Sequence, residues 1–242
     1  MQQMNLLEKL TKYYQHTPSF HYITRRFFPK TPLVFDHVAH RSFGYTPILS
    51  YYAYLGFKQQ PDLYHFPHMN VHAIWLKHPM GQPPKADGAY PMGQPLKADG
   101  AYPSFRVFLS QYEEPVYQQI KSYEDYERIQ KQNDYVAWTL LHKDDINHIA
   151  IQVPNLDTMV DIIKRDGHLQ LNNPTKPIEE SADGNLRQAS TVADKMVYTF
   201  PNGDTREVPY AFVEFVERRN GREGFETKNA AQIFTSTHLH KK

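Results

Sequence analysis

Histidine and carboxylate are the only side chains with which this chain could hold a transition metal, since its 13 His and 26 Asp plus Glu are accompanied by no cysteine. That absence excludes disulfides, thiolate nucleophiles, Cys-ligated zinc and Cys-ligated iron–sulfur clusters. Three candidates stand out by type and place: His37 in LVFDHVAHRSF, His148 in INHIAIQV and Glu214 in YAFVEFVE. Each segment is rich in β-branched and aromatic residues and reads as a strand, in which alternate side chains share a face. Phe35, His37, Ala39 and Arg41 are then expected on one side of the first strand, with Asp36, Val38 and His40 on the other. Ile146, His148 and Ala150 share a face of the second, and Phe212, Glu214 and Val216 share one of the third. A carboxylate between Phe212 and Val216 is costly to bury unless it is paired or bound to a cation. Two neutral imidazoles and one carboxylate form the facial triad of non-haem Fe(II) oxygenases, with three positions left open. Taken singly, each residue has a plainer explanation: a hydrogen-bonded core histidine, or a salt-bridged edge glutamate such as Glu217 beside Arg218 and Arg219.

The elements that must position these residues recur in order. After LVFDHVAHRSF, Thr46-Pro47 opens a helix over ILSYYAYLGF that stops at Gly56. After INHIAIQV and Pro154, NLDTMVDIIKRDG carries Leu156, Met159, Val160 and Ile163 on one helical face and stops at Gly167. Both strands carry His-aliphatic-Ala, and each helix is followed by chain enough for three more strands. These fall around LYHF, NVHAIWLK and FRVFLSQY in one half, and LRQASTV, KMVYTF and YAFVEFVE in the other. The expected fold class is therefore α+β, two βαβββ modules forming a curved mixed sheet around a metal site, within one domain over 1–242. The modules span 31–112 and 135–220, with an N-terminal helix in 1–30, a linking helix in 113–134 and a C-terminal tail over 221–242. A twelve-residue Pro/Gly unit written twice at 79–102 reads as an exposed loop.

With 27 Lys plus Arg against 26 acidic residues, the net charge of +1 supplies no field for nucleic acid or an anionic membrane. No stretch approaches the roughly 20 apolar residues of a membrane span, and the start lacks the apolar run of a signal peptide, so a cytoplasmic protein is expected.

FDHVAHRSFG, DYVAWTLLHKDDINHIAIQV and RQASTVADKMVYTFPNGDTREVPYAFVEFVER together resemble the 2-oxoadipate dioxygenase/decarboxylases, a branch of the vicinal-oxygen-chelate superfamily. The resemblance implies that His37, His148 and Glu214 bind Fe(II), and that Arg41, four residues after His37, grips a carboxylate of a 2-oxo acid. It implies a reaction in which dioxygen is consumed, CO2 is lost and the same molecule is hydroxylated, 2-oxoadipate giving 2-hydroxyglutarate. Gln188, Ser190 and Thr191 match the family's Q-x-S-T stretch as pocket-lining hydrogen-bond donors; an ordinary polar strand face explains them equally. Two departures bear on the substrate: Tyr210 follows Pro209 where relatives have Gly, which puts a bulky ring near the expected site, and the duplicated loop is not a family feature. Two other readings keep the fold. One is an oxygen-independent isomerase, hydrolase or lyase using Mn, Co, Ni or Zn; the other is a non-enzymatic protein that binds a small ligand.

Overall fold

The computed structural model describes residues 6–79 and 105–238; the duplicated unit lies, apart from Pro79, outside them. The N-terminal segment, expected as one helix, forms two, α1 (Leu6–His16) and α2 (Pro18–Phe27). Pro18 has no N–H to continue the first helix and forces Thr17 out of helical geometry (φ −123°, ψ 72°), while its own fixed φ suits the first turn of the second. The first module follows as β1 (Val34–Ser42), α3 (Thr46–Tyr54), β2 (Lys58–Phe66), β3 (Val71–Lys77) and β4 (Arg106–Tyr112).

The link between the halves is also two helices, α4 (Tyr123–Gln132) and α5 (Asp134–His142), and the second runs on past the expected end of the link. Asn133 divides them by leaving helical geometry and capping the next turn, its side chain accepting from the Val136 N–H at 3.1 Å. The second module comprises β5 (Ile146–Gln152), α6 (Leu156–Asp166), β6 (Glu179–Glu180), β7 (Leu186–Ser190), β8 (Lys195–Thr199), β9 (Thr205–Pro209) and β10 (Phe212–Arg218). α6 is capped by Asn155 and ends at Gly167, whose φ of +73° is the left-handed conformation that favours glycine.

Eight strands form one curled mixed sheet in the order β2-β3-β4-β1-β5-β10-β7-β6. β1 runs parallel to β4 and β5 parallel to β10, so the halves mirror one another across the antiparallel β1–β5 seam. KMVYTF was expected in this sheet. It forms instead a separate hairpin with β9, because only Met196 and Tyr198 face apolar neighbours while Val197 is exposed. The two-residue β6 takes the outer place.

One sheet face packs under α1, α2, α3 and α6, where Tyr13, Phe20, Ile48, Leu156 and Val160 meet Val38, Ile149, Val213 and Phe215. The other face carries His37 and an aromatic cluster that includes Trp75, Phe108, Tyr135, Phe225 and Phe234. Over it lies α7 (Thr227–Ile233), continued by a 3-10 turn at Phe234–Thr237. Among the described residues no helix is long and apolar enough to cross a membrane.

Buried titratable groups give the fold a pH signature. Burial lowers His40, bonded to Tyr52 and the Asp144 carbonyl, to about 4, and lowers His142 to about 3. Above pH 6.5 both are neutral whether folded or unfolded and contribute nothing. Below it the unfolded chain takes up protons that the folded chain refuses, so stability is lost as pH falls towards the folded values, by about 1.4 kcal/mol per pH unit for each histidine. Asp194, raised by burial to about 6, acts in the opposite sense, because between about pH 4 and 6 the folded state binds its proton more readily. Urea unfolding should therefore give a lower free energy at pH 5.0 than at pH 7.5, with a larger difference in Asp194→Asn. Equal stabilities at the two pH values would contradict this assignment.

Candidate functional site

His37, His148 and Glu214, from β1, β5 and β10, meet at the seam. His37 Nε2 lies 3.2 Å from His148 Nε2 and 3.4 Å from Glu214 Oε2, and His148 Nε2 lies 3.0 Å from the same oxygen. All three residues are buried, and among the described residues they are the one group of His and carboxylate donors that converges on a common point.

Strand alternation alone does not explain how the histidines are held. β1 and β5 slip by one residue twice: Asp36 has no partner in β5, and Asn147 has none in β1. Each is a bulge residue directly preceding a triad histidine, and each turns its side chain onto that histidine's ring. The expectation that Asp36 faces away from His37 is corrected by the first bulge, which also sends Phe35 to the helix-covered face. The second sends Ile146 there rather than beside His148.

The consequence is a fixed tautomer for both rings. His37 Nδ1 donates to Asp36 Oδ1 at 2.8 Å, and His148 Nδ1 donates to Asn147 Oδ1 at 3.1 Å. The hydrogen of each neutral ring therefore sits on Nδ1 and both Nε2 atoms present lone pairs to one another. A third set of lone pairs comes from Glu214 Oε2, while Gln188 Nε2 donates to the other oxygen, Oε1, at 2.6 Å. Three acceptors about 3 Å apart repel unless a cation lies between them. Separations near 3 Å are also those of adjacent ligands at right angles around a divalent ion with bonds of about 2.1 Å. The donor set thus fits a metal ion, and the partners on the Nδ1 atoms are of the kind that orient metal-binding histidines.

Charge supports the same geometry. Burial would raise the Asp36 carboxyl, but Arg218 and Arg106 outweigh it and hold the group well below the usual range. Arg218 donates Nε to Asp36 Oδ2 at 2.7 Å and Nη2 to Oδ1 at 2.9 Å, and Arg106 adds a 3.3 Å contact while also pairing with Glu223. Burial lowers His148 to about 4. For His37 the same desolvation is outweighed by Glu214 and Asp36, which raise it. Glu214 is lowered to about 2, burial being overcome by the two histidines. Phe212 stacks on the His148 ring at 4.6 Å, and Phe225 meets His37 edge-on at 4.9 Å.

The cavity beside the triad is small, about 10 Å³, and is lined by Gln188 and by apolar side chains including Phe108, Phe225, Ile233 and Phe234. Of the residues expected to bind substrate, Gln188 is at the triad. Ser190 hydroxyl bonds that of Ser236 at 2.9 Å, and Thr191 hydroxyl accepts from the Val213 N–H at 3.2 Å. Arg41 is buried among Tyr135, Trp138 and Phe234, donating to the Phe234 carbonyl at 2.8 Å and Thr237 Oγ1 at 3.0 Å, with Asp134 at 3.5 Å. It lines a neighbouring cavity of about 220 Å³ rather than the triad's own. The Tyr210 ring, expected near the site, packs against His16 and His142 and lines neither cavity. Asp36 and Asn147 were not foreseen; their signal was the polar residue before each histidine in the matched segments DHVA and NHIA.

The model of the 2-oxoadipate dioxygenase/decarboxylase family matches residues 112–221, which carry His148, Gln188 and Glu214. A chloroplastic 2-oxoadipate dioxygenase/decarboxylase of Arabidopsis thaliana is 32% identical over 135 residues, 47% of this chain, and the match spans 36% of that protein. Among solved structures, hydroxyglutarate synthase from Oryza sativa in complex with 2-oxoadipate superposes with a TM-score of 0.74 at 22% identity, covering 96% of this chain and 91% of that one. A glyoxalase superfamily protein from Ralstonia eutropha gives 0.66 at 16% identity, over 88% and 81%. The resemblance read from the motifs therefore holds: the chain is similar to the 2-oxoadipate dioxygenase/decarboxylases in sequence over 112–221, and has the vicinal-oxygen-chelate fold of its structural neighbours over nearly its full described length.

Proposed function

We propose that this chain is a non-haem Fe(II)-dependent dioxygenase/decarboxylase that converts a 2-oxo acid of the 2-oxoadipate type into a hydroxy acid and CO2. The observation that carries the proposal is the convergence of two imidazole lone pairs and one carboxylate oxygen in a buried site. The names of the relatives support the choice of reaction and substrate class. Fe(II), when bound, supplies the redox chemistry that couples dioxygen to the loss of CO2.

The protein's own residues bind, orient and exclude water. Asp36 and Asn147 hold the rings so that Nε2 faces the centre, and Gln188 keeps one oxygen of Glu214 turned to it. Phe108, Phe225 and Phe234 keep the surroundings dry, which strengthens each electrostatic interaction inside. Arg41 is proposed as the partner of a substrate carboxylate, its planar fork being suited to two parallel hydrogen bonds. Ser190 and Thr191 act through the strand, supporting Ser236 and Val213.

The first test is oxygen uptake. With Fe(II) added, 2-oxoadipate or a close 2-oxo acid should drive oxygen consumption with CO2 released in equal amount. Conversion without oxygen uptake, sustained by Mn, Co, Ni or Zn, would establish the oxygen-independent reading instead. A second test removes ligands one at a time: His37→Ala, His148→Ala and Glu214→Ala should each lose bound metal and turnover while keeping the wild-type far-UV circular dichroism. Full metal content in any one variant would withdraw that residue from the triad. The third addresses Arg41. Arg41→Lys keeps the charge but not the fork, so the substrate KM should rise about tenfold, in line with roughly 1.5–3 kcal/mol for a hydrogen bond to a charged group, with metal content unchanged. Unaltered kinetics would remove Arg41 from substrate binding.

A further inference from the structure

Two cavities are lined by residues of the C-terminal segment, and one residue is common to the lining of both. The inner cavity, about 10 Å³ beside the triad, has room for one water molecule at most. The outer one, about 220 Å³, lies between α5 and the C-terminal 3-10 turn, with Arg41, His68 and Asp134 in its wall. Among the described residues Phe234 alone lines both. A six-carbon acid does not fit the inner space as it stands, so something must move before the triad can be reached.

The backbone around Phe234 is fixed. Its carbonyl accepts from Arg41 at 2.8 Å, the Thr237 hydroxyl accepts from Arg41 at 3.0 Å, and the Ser236 carbonyl accepts from the Ala193 N–H at 2.9 Å. The ring is held by contacts of another kind: edge-on to Phe66 at 5.2 Å and to Tyr135 at 5.9 Å, tilted against Phe108 at 6.5 Å, and with the Arg41 guanidinium 5.2 Å from its centre. These contacts are less directional than the two hydrogen bonds to the Phe234 and Ser236 carbonyls and the one to the Thr237 hydroxyl.

We infer that the Phe234 side chain is the gate between the outer cavity and the metal site, and that its bulk sets which 2-oxo acids reach the triad. The ring turns about its side-chain bonds while the segment that carries it stays bound to Arg41 and Ala193. When it swings out, the passage it leaves joins the two cavities, and the reacting end of the substrate reaches the triad while its tail remains in the outer space. The selectivity part rests on the function proposed above; the gating part rests only on the triad holding a metal.

The experiment compares metal-loaded wild type with Phe234→Ala and, as a milder change that preserves packing, Phe234→Leu. The rate at which a chelator strips the metal is measured first, then kcat/KM over a series of straight-chain 2-oxo acids of increasing length. Stripping should be about tenfold faster in Phe234→Ala, equivalent to about 1.4 kcal/mol off the opening barrier, with metal stoichiometry unchanged. The preferred substrate should shift to longer chains. Folded variants with wild-type stripping rates and a wild-type length profile would overturn the inference. Were no 2-oxo acid turned over even by wild type, the proposed reaction would fall, and the stripping rates would still decide whether Phe234 is the gate.

Discussion

The arrangement of this molecule depends on three lone pairs directed at one another. His37 Nε2, His148 Nε2 and Glu214 Oε2 lie about 3 Å apart in a buried space, and in the neutral rings each imidazole hydrogen is committed to Nδ1. Such a group is unfavourable by itself and favourable around a cation, so the surrounding protein has to hold it in place before the ion arrives. The two β-bulges do this locally, each placing an oxygen on the far nitrogen of the ring that follows it.

The two bulges are alike in backbone and unlike in charge. Asp36 is ionised, gripped by Arg106 and Arg218, and ties β1 to β4 and β10; Asn147 is neutral, with its amide nitrogen unpartnered. Ionised Asp36 polarises the His37 ring and raises its affinity for positive charge, whereas the His148 ring is pushed towards neutrality by burial. One imidazole is therefore electron-rich and the other is simply well placed. The cost of burying Asp36 is met by two guanidiniums that belong to other strands, so the sheet must be complete before the site is electrostatically sound.

Much of this was legible in the sequence because burial and periodicity leave direct traces. The three candidate ligands announced themselves as polar residues inside apolar strands, and the two strand–helix units as a repeated order of motifs. The misreadings have specific causes. Alternation failed at Asp36 and Asn147, since a bulge inserts one residue and shifts every face beyond it, and its one local trace is the polar residue before each histidine. Pro18 carries the sign of a helix break, but the apolar spacing runs on across it and suggests one helix where there are two. KMVYTF read as a sheet strand because its alternation suits any half-buried pairing, and only tertiary contacts select the hairpin with β9. Arg41 was placed on the correct face of β1, but the sequence gives no sign that a segment nearly two hundred residues later would meet its guanidinium.

The mirror seam between β1 and β5 has a consequence for how the halves depend on one another. His37 belongs to the first module, and His148 with Glu214 to the second, so a bound ion is a cross-link over the molecule's own midline. Mass action then makes metal availability a determinant of how tightly the halves adhere, by RT ln(1 + [M]/Kd) for an ion that binds the assembled form only. A change that tilts β1 against β5 by a fraction of a bond length would then weaken ion capture and cohesion in the same stroke.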